Sequence, residues 1–225
     1  TAMMRAGEPE AMTGVIELIQ NEIPEAQIAI DSANPEAVEA GFKAHQGRAL
    51  LNSINMEKER MESIIPLIRE HKPRVIGLTI DDNGVTQDAD KRFDLGVQLI
   101  ELLTKNDIDL DDIFIDPLIF PVSAELQAGN VSLNIMGRLK EQYPGVHMVC
   151  GLSNISFGLP ERKLINQVYM MMAMGRGLDA AIIDPLDKRM MASIITARTL
   201  LGQDKACKGY LKAYRSDGLN LELVP

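Results

Sequence analysis

Six times along this chain a short apolar run gives way to a polar turn and an amphipathic stretch, and five of the six stop directly at an acid or amide. The runs are Ala26–Ile30, Ala49–Leu51, Val75–Ile80, Ile113–Ile115, Val146–Cys150 and Ala180–Ile183. They recur at roughly 30-residue intervals, the length of a strand–helix unit. Nearly continuous apolar strands are buried on both faces, and such strands belong to parallel sheets covered by helices. The class expected is therefore α/β. Two architectures satisfy it, a (β/α)8 TIM barrel and an open doubly wound sheet. No GxGxxG or GxxxxGK[ST] follows the first strand, which weakens the nucleotide-binding forms of the open sheet. Six units leave an eight-stranded barrel short by two strands and a helix, so about 50 further residues are expected ahead of Thr1. No linker or low-complexity stretch interrupts residues 1–225, and a single barrel domain is expected over them.

The helices are legible from period and caps. Val15, Ile16, Ile19 and Ile23 share one face of a helix over residues 9–23. Asn34-Pro35 is an N-cap and first-turn signature for a helix running to about His45. Glu57 to His71 carries Met61, Ile64, Ile65 and Ile68 and is stopped by Pro73. Thr86 is expected to cap a long helix with Phe93, Val97, Ile100 and Leu103 at helical spacing. A helix spans about Val131 to Gln142, and another follows Pro160 carrying Tyr169, Met170, Met171 and Met172. The last carries Met190, Ile194 and Leu201 and ends near Gly202.

Composition excludes several function classes. A net charge of −9 disfavours nucleic acid or an anionic membrane as partner. No apolar run approaches the roughly 18 residues of a spanning helix, and the first residues do not read as a secretory signal. The two cysteines and three histidines are scattered, so no metal site is expected and a reducing cytoplasm suits the chain.

Chemistry in a parallel α/β fold gathers where strands end. Those ends hold Asp31, Asn52, Asp116, Asn154 and Asp184, with no lysine, histidine or serine–histidine pair among them. This is not the equipment of a nucleophilic enzyme. It suits a flat polar heterocycle: a carboxylate at Asp116 can accept two parallel N–H bonds, and the amides of Asn52 and Asn154 can donate and accept at once. Each residue also has a structural reading, because Asp and Asn after a strand cap helices and build turns. Asn34-Pro35 and Asp184-Pro185 fit that reading better. The methionine run and Cys150 read as core, and Asp81-Asp82 as a solvated loop.

Five motifs occur in order: Ile30-Asp31-Ser32-Ala33-Asn34, Leu51-Asn52-Ser53-Ile54-Asn55, Ile115-Asp116-Pro117-Leu118, Gly151-Leu152-Ser153-Asn154-Ile155-Ser156 and Gly177-Leu178-Asp179-Ala180-Ala181-Ile182. Together they resemble the methyltetrahydrofolate:corrinoid-protein methyltransferases of the pterin-binding TIM-barrel superfamily. The resemblance implies a (β/α)8 barrel that commonly pairs into a homodimer. It implies 5-methyltetrahydrofolate or tetrahydrofolate as substrate and a corrinoid (cobalamin) carried by a partner protein. It assigns Asp31, Asn52 and Asp116 to the pterin ring and Asn154 to the ring nitrogen that carries the methyl group. Gly151, Ser153 and Arg162 match positions that line or support the pocket. Two alternatives are a dihydropteroate synthase and a non-catalytic pterin-binding subunit. The first needs a basic anion site near the last strands, where Lys188-Arg189 follow Asp184-Pro185 only at a distance.

Overall fold

The computed structural model describes residues 7–216 and 218–219. Helix α1 (Glu8–Glu22) leads into strand β1 (Ala29–Asp31) and helix α2 (Pro35–Ala44). Then come β2 (Leu50–Met56), α3 (Lys58–His71), β3 (Arg74–Asp81), α4 (Ala89–Lys105) and β4 (Ile113–Asp116). Helix α5 (Ala128–Gln142) precedes β5 (His147–Met148), and α6 (Arg162–Met174), α7 (Lys188–Leu200) and α8 (Lys208–Arg215) complete the order. The strands form one sheet in chain order, with β1·β2, β2·β3 and β3·β4 all parallel. The chain divides into two compact units, residues 1–117 with 139–147, and residues 118–138 with 148–225.

In the first unit the core lies between strands and helices. Ile30, Leu51, Val75, Ile113 and Ile115 of the strands are fully buried, as are Ile64, Ile68, Leu99 and Leu103 of the helices. Helix α2 approaches β1 closely because position 41 is glycine. A Cβ there would stand 3.0 Å from two carbons of Ile30 and 3.1 Å from Met12. The expected cap at Asn34 forms: its Oδ1 accepts the Glu36 N–H at 3.0 Å, with Pro35 in the first turn. Helix α4 is capped by Asp88 rather than Thr86. Asp88 Oδ1 accepts the N–H groups of Asp90 and Lys91, and Thr86 Oγ1 accepts the Asp88 N–H one step outside.

The expected strand Val146–Cys150 is reduced to His147–Met148, and in the second unit Ala180–Ile183 makes no regular strand. It contributes a single parallel bridge, Ile182 with Gly151. The physical reason is that a side chain takes a ladder position: Asp179 Oδ1 accepts the Met148 N–H at 2.8 Å. Ala180 N–H then bonds Met148 O at 3.0 Å and Ile182 N–H bonds Cys150 O at 2.9 Å. Tyr169 and Met170 are buried, and the Tyr169 hydroxyl meets Ser132 Oγ at 2.6 Å. The methionine run is not wholly core, since Met172 is half exposed at 49%. No helix among the described residues is long and apolar enough to cross a membrane.

Candidate active site

The first unit holds a polar cavity of about 590 Å³ where β1 and β2 end. Asp31 and Asn52 line it, with Ser53, Asn55 and Arg60. Asp31 is the last residue of β1 and pairs in register with Asn52 of β2. Asn52 is the third residue of β2, which runs on to Met56, and parallel register places it beside the end of β1, so the two side chains meet: Asn52 Nδ2 donates to Asp31 Oδ2 at 3.1 Å. Beyond Asn52 the register of β2 against β3 shifts twice, at Asn52/Ile54 and at Ile54/Met56. Such irregularities let a strand re-aim side chains beside a site.

Glu57, Glu59 and Asp82 line the same cavity, so carboxylates outnumber cations there. Two of those acids have structural work. Asp82 Oδ1 accepts the Lys58 N–H at 3.1 Å and so caps α3 from across a loop. Glu57 accepts from Asn55 Nδ2 at 2.7 Å. The cation is Arg60, half-buried, whose affinity for its proton is lowered by burial and partly restored by the nearby charges of Asp31 and Glu57. An acid-rich cavity whose cation is engaged by protein carbonyls suits a ligand edge that presents N–H donors.

Asp116 ends β4, two strands beyond Asn52, in register with Leu78. It does not line this cavity. Its carbonyl accepts from Thr79 Oγ1 at 3.3 Å, and the carbonyl of Pro117 beside it accepts from Arg92 Nη1 at 3.0 Å.

In the second unit, Leu152–Ser156 is a 3₁₀ turn rather than the end of a strand. Gly151 has φ −76°, which any residue can adopt, so positive φ is not why glycine stands there. A Cβ at Gly151 would lie 3.5 Å from Asn154 Nδ2. Asn154 and Ser153 are exposed. Arg162 opens α6 and holds this turn: Nη2 donates to Ser153 O at 2.8 Å and Nε to Ser156 Oγ at 3.1 Å. Its guanidinium also lies over the Phe157 ring, 5.8 Å from the centroid.

Strand register thus brings Asp31 and Asn52 together, with Asp116 two strands further along the same sheet. Gly151, Ser153, Asn154 and Arg162 form a second local group in the other unit. Arg60 was missed from sequence. Its partners are all backbone carbonyls, which leave no local signal in the sequence. Among the described residues, no group of three or more His, Cys, Asp or Glu is arranged to hold a metal ion.

The model of the family described as pterin binding enzyme matches residues 3–184. The chain belongs to the pterin binding enzyme family. A methylcorrinoid:tetrahydrofolate methyltransferase from Eubacterium limosum is 35% identical over 211 residues, which is 92% of this chain and 77% of that protein. A methionine synthase from Mycobacterium tuberculosis is 33% identical over 168 residues, 69% of this chain but 14% of that much longer protein. Among solved structures, the dihydropteroate synthase of Yersinia pestis superposes with a TM-score of 0.65 at 15% identity, covering 83% of this chain and 77% of that one. The fold is therefore the α/β fold of the pterin-binding barrels.

Proposed function

We propose that this protein moves a methyl group between tetrahydrofolate and the cobalt of a corrinoid protein. The observation that carries the proposal is the 35% identity, over 92% of the chain, to a relative named for that reaction. The acid-and-amide cavity at Asp31 and Asn52 supports it, since an aminopyrimidinone edge is rich in N–H donors.

In the reading proposed, Asp31, Asn52 and Asp116 hold the pterin ring. Asn154 hydrogen-bonds the nitrogen that carries the methyl group, and Arg162 steadies its turn through Ser153 and Ser156. Gly151 and Ser153 belong to the same turn as Asn154. The carbon–nitrogen bond breaks as the carbon–cobalt bond forms. The cobalt supplies the electron pair for the new bond, the nitrogen keeps the pair of the old one, and a proton from solvent neutralises it. A tertiary amine leaves poorly unless protonated or hydrogen-bonded as the bond breaks, so stabilising that developing charge is where catalysis lies. Asn154 is no acid and acts by hydrogen bonding. The pocket also aligns the methyl carbon for in-line attack. The same arrangement serves the reverse transfer. A homodimer, a corrinoid-protein partner and a cytoplasmic setting belong to the same reading.

Dihydropteroate synthesis is the competing reading, favoured by the shared fold. It needs a cationic seat for pyrophosphate, whereas Arg60 in the described cavity is engaged by carbonyls of the protein. A calorimetric titration with tetrahydrofolate followed by a spectral assay of Co(I) corrinoid methylation tests the proposal. Binding and methylation are expected. Condensation of a pterin pyrophosphate with an aminobenzoate, without methyl transfer, would replace it.

A further inference from the structure

Three arginines share an odd placement. Arg60 and Arg92 lie in the first turns of α3 and α4, and Arg162 opens α6. A cation at a helix N-terminus opposes the helix dipole. Helix electrostatics therefore do not explain these positions. Each guanidinium instead donates to a backbone carbonyl next to a residue of the proposed pterin set. Arg60 grips Ser53 after Asn52, Arg92 grips Pro117 after Asp116, and Arg162 grips Ser153 before Asn154.

Arg60 does the most. Its Nη2 donates to Ser53 O at 2.7 Å and to Ser32 O at 3.0 Å; Nε donates to Ser53 O at 3.0 Å and Nη1 to Ala33 O at 3.2 Å. Ser32 follows Asp31 and Ser53 follows Asn52. One planar group thus ties the loop after β1 to the middle of β2, at the residues adjoining the two facing side chains. Backbone pairing sets Asp31 beside Asn52, and Arg60 holds the residue that follows each of them. Lysine, with a point charge on a flexible stem, cannot present the same fork.

We propose that Arg60 is a positioning residue that holds Asp31 and Asn52 at the separation needed to bind the pterin ring, without touching the ring itself. This rests on the pterin reading of the cavity. The test is a double-mutant cycle on the full chain with tetrahydrofolate as ligand, joined to amide hydrogen exchange without ligand. Arg60→Met should raise the dissociation constant about tenfold or more, the equivalent of one lost hydrogen bond to a charged group. Arg60→Lys should recover only part of that. Asn52→Ala should cost much less in the Arg60→Met background than in the wild type, because residues acting as one unit are non-additive. Exchange should speed up over residues 32–34 and 53–55 with the rest of the chain unchanged.

Additive effects, or a loss of affinity tracking a chain-wide loss of protection, overturn the proposal. If Arg60→Met does not fold, Arg60→Lys carries the same cycle. If the wild type binds no tetrahydrofolate, the pterin reading falls. The exchange pattern then decides alone whether Arg60 holds the two segments.

Discussion

Asp31→Asn separates binding from stability. Asp31 is exposed, and an asparagine oxygen at the same place still accepts the bond from Asn52. The carboxylate shares its cavity with Glu57, Glu59 and Asp82 but also with Arg60, so removing its charge gives up an attraction along with the repulsions. An exposed change of this kind shifts stability by no more than about 0.5 kcal/mol in either direction. Binding changes more. A hydrogen bond to a charged group contributes about 1.5–3 kcal/mol, and each 1.4 kcal/mol is tenfold, so the dissociation constant for tetrahydrofolate should rise about 12- to 140-fold. Isothermal calorimetry and urea unfolding on the same preparation measure both. An affinity equal to the wild type refutes the assignment of Asp31. A fall in the urea midpoint that accounts for the lost affinity refutes the reasoning about the cavity's charge.

Asn154→Ala should slow methyl transfer by about 100-fold or more in a stopped-flow corrinoid assay, with an unchanged melting curve, because the side chain is exposed and withdraws one transition-state hydrogen bond; an unchanged rate removes Asn154 from the mechanism. Gly41→Ala gains about 1 kcal/mol of helix propensity but forces a methyl against Ile30 and Met12, an overpacking worth about 1–3 kcal/mol, so urea denaturation should show a net loss; stabilisation would mean that α2 shifts freely on β1. Asp204 is held below its ordinary 3.8 chiefly by the backbone N–H groups of Gly209 and Tyr210 at the start of α8. A carboxylate depressed by folding stabilises above its unfolded pKa and loses that contribution as pH falls through the lower folded value. Amide exchange at Gly209 and Tyr210 should therefore accelerate relative to the rest of the chain below about pH 3.8, and Asp204→Asn should abolish that pH response.

Local chemistry explains how far the sequence could be read. The helices were legible because period and caps are written within a few residues, as at Asn34-Pro35. Thr86 and Asp88 compete for one helix start, and both hydroxyl and carboxylate can cap. Which one wins depends on where the chain arrives from the Asp81–Gly84 turn, and no local pattern states that. The strands near Val146 and Ala180 were overdrawn because apolar runs report burial, whereas pairing depends on what meets the backbone. At Met148 a side-chain oxygen of Asp179 meets it. Arg60 was illegible for the opposite reason. Its partners are carbonyls, which every residue carries, up to 28 positions away in sequence.

Short polar residues after strands carry two meanings in sequence, and their partners in space separate them. Asn34, Asp81 and Asp184 each accept the backbone N–H two residues on, from Glu36, Asn83 and Leu186. Asn55 does the same with Glu57. A side chain engaged by its own turn has one oxygen committed and points back at the chain. Asp31 and Asn52 are bonded to each other across neighbouring strands instead. Their outward groups face an open polar cavity, and the residues that follow them are held by Arg60 rather than by their own side chains. A turn former needs no such external brace. The brace adjoins both of these side chains, and on the reading proposed above it separates a binding edge at Asp31 and Asn52 from a set of caps.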